Sequence, residues 1–271
     1  MERRKLGSRT GIEVPAVGLG TWQTMERAEA RAEGAVAALV DAAIEVGSNF
    51  FDSSPMYGQA EELLGDALKG RREQALVATK IWTPSAEEGA RQAERALAWY
   101  GGRVDLYQVH NLVAWREHLH LLERLHDEGR VSAVGVTHYS PGAFDQLAAV
   151  LQDERVQAVQ LPYNPLEREV EGRLLPLAAD LGLGVVVMRP FAEGRLLRRE
   201  PDRAAMAELE RHGVGSWTEA LLRWILSDPR CHVVIPATSR VEAVRSNAAA
   251  GDLPPLDGDT RELIARIATG L

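Results

Sequence analysis

Three short apolar runs each end on a residue able to hold or move a proton. Asn49-Phe50-Phe51 leads into Asp52, and a loop punctuated by Pro55 and Gly58 then carries Tyr57. Residues 75–79 close on Lys80, and residues 104–109 close on His110. Each has an ordinary structural explanation: an acid after a strand caps a helix or makes a turn, a loop tyrosine packs, and a terminal lysine guards an edge. A lone histidine is more often a satisfied core residue. Neighbouring parallel strands, however, would bring all four within reach of one another. Tyrosine keeps its proton up to about pH 10, and an ammonium beside it stabilises phenolate and lowers that value. Asp52 would keep Lys80 charged and aimed, and His110 would hydrogen-bond the same substrate oxygen. The product is a general acid that delivers a proton to oxygen. A carbonyl accepting hydride at carbon needs that proton, and because no side chain supplies hydride a nicotinamide is implied.

The elements that must position these groups alternate along the whole chain. Residues 3–15 read as a β-hairpin turning at Ser8-Arg9-Thr10-Gly11, placed to plug the bottom of a barrel. Strands are expected at 16–20, 49–52, 75–80, 104–110, 133–137, 156–161, 183–188 and 232–235. Helices are expected at 28–46, 59–69, 87–99, 116–127, 141–151, 172–181, 217–226 and 241–249, with an additional C-terminal helix at 259–268. Gly47 reads as a left-handed helix end, and Ser140 as an N-cap before Pro141. Eight β/α alternations favour a (β/α)8 TIM barrel of the α/β class over an open doubly wound sheet. In a barrel, loops past strand ends form the mouth, where Asp52, Tyr57, Lys80 and His110 all fall.

At 271 residues the chain suits one such barrel, and residues 1–271 are expected to form a single domain with no visible linker. Asp and Glu outnumber Lys and Arg by 39 to 31, for a net charge of -8, which argues against a nucleic-acid partner. No run reaches membrane-spanning length. The single Cys231 excludes an intramolecular disulfide framework and fits a reducing compartment. The Arg3-Arg4 pair is followed by no hydrophobic region, so an export signal is rejected and a cytoplasmic location expected. Gly18-Leu19-Gly20-Thr21-Trp22-Gln23 starts like a dinucleotide fingerprint but has Gln23 in place of the third glycine. No Gly-Lys-Ser/Thr occurs. His118 and His120, two apart on a helix, point to different faces, so no metal site is expected.

Taken together, Gly18-Leu19-Gly20-Thr21-Trp22, Phe51 to Gly58, Ala78-Thr79-Lys80 and Asp105 to Asn111 fall in the order and spacing of one family. Over essentially its full length the chain resembles the aldo-keto reductases. That resemblance implies a catalytic tetrad of Asp52, Tyr57, Lys80 and His110, with Tyr57 as proton donor. It also implies NADPH extended across the barrel mouth, with NADH left open, delivering its 4-pro-R hydride to a small carbonyl compound. Gly20, Thr21, Trp22 and Asp52 fall among the implied cofactor contacts. Gln160 matches the glutamine that bonds the carboxamide, and Thr137-His138 stands where Ser-Asn is common. Met188 occupies the position that stacks on nicotinamide, often a tyrosine, and Arg189, Pro190 and Phe191 follow it. Gly194 and Leu196 match the segment covering the pyrophosphate. Ala237, Thr238, Ser239 and Arg240, continuing to Asn247, match the adenosine-phosphate loop, with Ala237 replacing a common lysine. Arg240 or Arg245 would then contact the 2′-phosphate, although Arg245 equally suits a solvated helix face.

Trp22, Tyr57, Trp82 and Trp115, each just past a strand end, are expected to line an apolar substrate pocket together with His110. Three other readings stay open at this level. A Schiff-base lyase would use Lys80, but Asp52 argues against the neutral lysine it needs. A metal-dependent hydrolase lacks enough His and Asp at strand ends. A non-catalytic cofactor-binding subunit of the same fold shares every motif. A monomer is favoured, with the assembly state left open.

Overall fold

The computed structural model describes residues 1–25 and 34–271. Alternation along its strands organises the structure. Two antiparallel strands, β1 (Arg3–Lys5) and β2 (Glu13–Pro15), form the N-terminal hairpin. Eight further strands run parallel in chain order: β3 (Leu19–Gly20), β4 (Phe50–Asp52), β5 (Leu76–Ile81), β6 (Val104–Val109), β7 (Val131–Thr137), β8 (Ala158–Pro162), β9 (Gly184–Met188) and β10 (Val233–Val234). The sheet curls until its first and last strands meet. Parallel bridges Val17↔Val234 and Gly20↔Ala237 close it, supported by Gly18 N–H donating to Val234 C=O at 2.8 Å. A β-carbon on Gly20 would sit 2.9 Å from the Ile235 carbonyl, so this seam needs glycine.

Strand side chains alternate between two environments. Phe51, Val77, Tyr107, Val109, Val136, Val159, Leu161, Val185 and Val187 face outward into the core shared with the helices. Phe50, Ala78, Leu106, Ala133, Ala158, Val186 and Val233 face inward and pack with Leu6 and Val14 of the hairpin. The hairpin thus plugs the barrel, as its position in sequence suggested. Two residues further along four of the strands, the inward positions turn polar: Asp52 follows Phe50, Lys80 follows Ala78, Gln108 follows Leu106, and Gln160 follows Ala158. An apolar layer therefore supports a polar one at the C-terminal mouth.

The surrounding helices are α1 (Ala35–Glu45), α2 (Ala60–Ala67), α3 (Ala86–Trp99), α4 (Trp115–Asp127), α5 (Phe144–Val150), α6 (Leu174–Asp180), α7 (Arg203–Arg211), α8 (Trp217–Leu226), α9 (Val241–Ala249) and the terminal α10 (Gly258–Gly270). Part of the first expected helix, 28–33, lies outside the described residues. Three expectations need correction. The segment after β7 opens as a 3-10 turn at Pro141–Ala143 before α5, and the Ser140 hydroxyl caps neither. Likewise a 3-10 turn, Glu169–Gly172, precedes α6. The arginine-rich connection after β9 holds a helix not expected from sequence, α7, whose N-cap Asp202 accepts from Ala205 N–H at 2.8 Å. His118 is buried and bonds Thr83 C=O through Nε2 at 2.7 Å, whereas His120 is exposed and lies 3.7 Å from Glu123. No described helix is long and apolar enough to cross a membrane.

Candidate active site

Lys80 is the centre of the polar layer. It is wholly buried, and its ammonium donates to Asp52 Oδ2 at 2.7 Å and to Ser53 C=O at 2.8 Å. The parallel pairing of β4 with β5 sets this contact, since Asp52 lies opposite Ala78 and Lys80 is the next inward residue. The other carboxylate oxygen of Asp52 accepts from Gln160 Nε2 at 2.7 Å and, more weakly, from Gln108 Nε2 at 3.4 Å. A buried charge pair without such extra donors would be costly. Here the polar groups of three strands converge on one carboxylate.

Tyr57 hangs over this pair from the loop after β4. A turn holds the loop: Tyr57 N–H donates to Ser54 C=O at 2.9 Å, and Ala60 N–H returns to Tyr57 C=O at 3.0 Å. Gly58, at φ 58°, supplies the left-handed conformation that lets α2 begin so soon after the tyrosine. The Lys80 ammonium lies 5.2 Å from the centroid of the Tyr57 ring. The His110 ring meets Tyr57 edge-on, with centroids 5.9 Å apart and planes at 89°.

The electrostatics amend one expectation. Burial raises the Tyr57 pKa above its usual value, and although Lys80 pulls it down, with Asp52 opposing, the net effect is upward. The phenol is therefore protonated at neutral pH. Burial also disfavours the Lys80 charge, but Asp52 and then Tyr57 outweigh it and raise the lysine's pKa. His110 is driven down to about 3 by burial, assisted by the positive charge of Lys80 and by His138, so it is neutral across the physiological range.

These groups open into a cleft of about 580 Å³. Its walls include Gly20, Thr21, Trp22, Asp52, Tyr57 and His110. Gln160, Met188, Arg189, Pro190, Phe191, Gly194, Ala237, Thr238, Ser239 and Arg240 also line it. Thr137 and His138, expected to contact the cofactor, are absent from the lining: Thr137 is buried at the end of β7, opposite Gln160 in register, and its hydroxyl has no partner among the described residues. His138 is half-buried, with Nδ1 accepting from Ser140 N–H at 3.1 Å, so a neutral ring carries its proton on Nε2. Burial lowers its pKa.

Several expected residues do not reach the cleft. Leu196 is a core side chain, with its carbonyl accepting from Trp217 Nε1 at 2.8 Å. Asn247 is buried on α9, and Arg245 pairs with Glu45 at 2.7 Å on the outer face. Trp82 and Trp115, expected in the substrate pocket, are also absent from its lining. The Trp82 backbone is pinned to Gln92 of α3 by two hydrogen bonds, and the residue is 42% exposed. Trp115 turns onto the outer core and carries the Arg116 guanidinium 4.2 Å above its ring.

Other side chains line the cleft that were not expected among its contacts: Gln23, Thr24, Met56, Asn111, Tyr139, Glu193, Leu197 and Ile235. Tyr139 could have been found by the signal that selected Trp22, an aromatic just past a strand end. It stacks on His138 and lies 4.6 Å from the Arg189 guanidinium, which Glu193 also holds at 2.8 Å.

Known proteins share this arrangement of elements. The model of the Aldo/keto reductase family matches residues 16–268. Aldo-keto reductase YhdN of Bacillus subtilis is 32% identical over 216 residues, 69% of this chain and 61% of that protein. Methylglyoxal reductase YeaE of Escherichia coli is 28% identical over 92% of this chain and 89% of its own length. An aldo-keto reductase from Klebsiella pneumoniae, solved in complex with NADPH, superposes with a TM-score of 0.81 at 27% identity, covering 98% of this chain and 95% of that one. With nearly all of the barrel inside the family match, the chain belongs to the aldo/keto reductase family.

Proposed function

We propose that this protein reduces aldehyde or ketone carbonyls to alcohols with NADPH, residues 1–271 acting as one catalytic unit and Tyr57 as the general acid. The carrying observation is the fully buried Lys80 ammonium, held by Asp52 and set beneath a protonated Tyr57. The cleft suits a dinucleotide. Gln160 lines it where it would meet a carboxamide, with the buried hydroxyl of Thr137 opposite it in register, Met188 offers an apolar face to a ring, and Arg240 offers a cation for a phosphate. The Klebsiella relative solved with NADPH supports that choice. A reduced nicotinamide, when bound, supplies the hydride.

The residues then divide the work. As hydride arrives at carbon, the substrate oxygen gains charge and becomes a stronger base than phenolate. Tyr57 gives it the phenolic proton, and the resulting phenolate faces the Lys80 ammonium. Asp52 keeps that ammonium charged and fixed, so little rearrangement is needed as charge moves. His110, neutral, donates a hydrogen bond to the same oxygen. Trp22, Met56 and Tyr139 give the pocket an apolar wall suited to small carbonyl compounds.

The test is NADPH consumption with a panel of aldehydes and ketones that includes methylglyoxal, the substrate named for the Escherichia coli relative. Tyr57→Phe is expected to bind NADPH normally and to lose about 10²–10⁴-fold in turnover. Full turnover in that variant would remove Tyr57 from the mechanism. Cofactor binding with no consumption by the wild type would instead identify a binding subunit.

A further inference from the structure

We propose that Ser54 is a positioning residue that fixes the tautomer of His110, leaving the ring proton on Nε2 as the hydrogen-bond donor to the reacting oxygen. This inference rests on the reductase reading above and concerns how one of its groups is set. Ser54 is completely buried, and its Oγ lies 2.9 Å from His110 Nδ1. The same Oγ accepts from Met56 N–H at 3.2 Å. Its backbone carbonyl holds Tyr57 N–H at 2.9 Å, so one residue touches both the histidine ring and the tyrosine turn.

Two proton arrangements are conceivable, and counting partners separates them. If His110 Nδ1 carried the proton, it would donate to Oγ, which already accepts from Met56. The hydroxyl proton would then need an acceptor inside a fully buried site, where no other partner of Oγ exists among the described residues. A buried donor left unpaired is more costly than a hydrogen bond is favourable. In the other arrangement Met56 N–H donates to Oγ, the Oγ hydroxyl donates to Nδ1, and every group is satisfied. A neutral imidazole accepting at Nδ1 must carry its proton on Nε2. His110 lines the cleft, so that proton is the ring's one N–H donor for a substrate oxygen. The opposite tautomer would present a lone pair to that oxygen and repel it.

The distinction is measurable without turnover. The full-length protein is labelled with 15N-histidine, and the His110 ring signals are identified by their loss in His110→Asn. Wild type is expected to show a bare Nδ1 and a protonated Nε2. Ser54→Ala should show mixed tautomers, and Ser54→Thr, which keeps the hydroxyl, should restore the single one. With NADPH and a carbonyl substrate, Ser54→Ala should lose about tenfold in kcat, the scale of one hydrogen bond, with the Kd for NADPH unchanged. Ser54→Thr should recover most of that loss. A protonated Nδ1 in wild type, or a single Nε2–H tautomer persisting in Ser54→Ala, overturns the proposal. Should Ser54→Ala not fold, the wild-type tautomer and the threonine variant still decide it. Absence of carbonyl reduction in wild type, with the tautomer as expected, would overturn the reductase reading and not the role of Ser54.

Discussion

Asp52 receives three donors while Lys80 donates to one carboxylate and one carbonyl, so the two side chains form a single electrostatic unit under Tyr57. Removing the ammonium deprives the developing phenolate of its counter-charge. Removing the carboxylate charge leaves the ammonium misaimed. We therefore expect Lys80→Met to lower kcat by about 10²–10⁴-fold, and the Asp52→Asn, Lys80→Met double variant to be little worse. Fully multiplicative losses in steady-state assays would show two independent contributions. His138 yields a second expectation. Its Nδ1 accepts from Ser140 and burial lowers its pKa, so the ring stays neutral near pH 7. The ratio of NADP⁺ to NADPH affinity should then be flat between pH 6.5 and 8, values bracketing the region above the ordinary histidine pKa of about 6.5. The same flat ratio is expected for His138→Asn. A ratio that shifts in wild type alone, followed by titration calorimetry, would mean the imidazole charges beside the cofactor.

Helix α2 is tied to the strand beneath it by a residue with no evident chemistry in the sequence. Glu61, one of two acids in the first turn of α2, is buried and accepts from Thr79 Oγ1 at 2.5 Å, next to Lys80 on β5. It thereby joins the helix that follows the Tyr57 loop to the strand that carries Lys80. Burial raises its pKa from 4.5 to about 7, against the Thr79 hydrogen bond and the charges of Lys80 and Arg95. The sign of the linkage follows from which state binds more protons. Between pH 4.5 and 7 the folded chain holds a proton that the unfolded chain has released, so stability falls as pH rises through that window. The full effect is on the order of 3 kcal/mol. Glu61→Gln should flatten it, as read from urea midpoints at pH 5 and pH 7.5; an unchanged slope would place the titration elsewhere. Sequence alone does not separate Glu61 from its exposed neighbour Glu62, because helix periodicity marks faces and not which acid meets a hydroxyl. The strand ends were legible for the opposite reason. Period-2 alternation places Asp52, Lys80 and Gln160 one inward step above apolar residues, and a closing acid, lysine or histidine stands out. Trp82 and Trp115 misled because a loop aromatic's direction depends on which helix pins its backbone, here Gln92 on α3 for Trp82. Helix α7 was hidden by its arginines, which read as loop composition until Asp202 supplies a cap.

On the scale of the molecule, the barrel separates stability at the bottom from chemistry at the mouth. The hairpin reaches in at one end, where Leu6 is fully buried among Phe50, Ala78, Leu106 and Val186, and Lys80, Asp52 and Tyr57 occupy the other. The plug fits closely. A β-carbon added at Gly184 would lie 2.5 Å from Leu6 Cγ and 2.9 Å from its Cδ1, a clash that the leucine or the strand must relieve. Gly184→Ala should therefore destabilise by about 1–3 kcal/mol through overpacking. Leu6→Ala should destabilise by about 2–5 kcal/mol through the cavity it leaves. The two defects are complementary, because the new methyl group occupies space that the leucine side chain has vacated. Part of it still meets the Leu6 carbonyl at 3.0 Å, so compensation is incomplete. The double variant should consequently be more stable than the sum of the single effects by at least about 0.5 kcal/mol, the threshold at which neighbouring sites depart from additivity. Urea unfolding of the four proteins measures this, and kcat should stay within about twofold of wild type throughout because no residue of the mouth is touched. Additive stabilities would mean that hairpin and barrel relax independently, and a kcat that falls with stability would mean that the plug transmits its fit to the mouth.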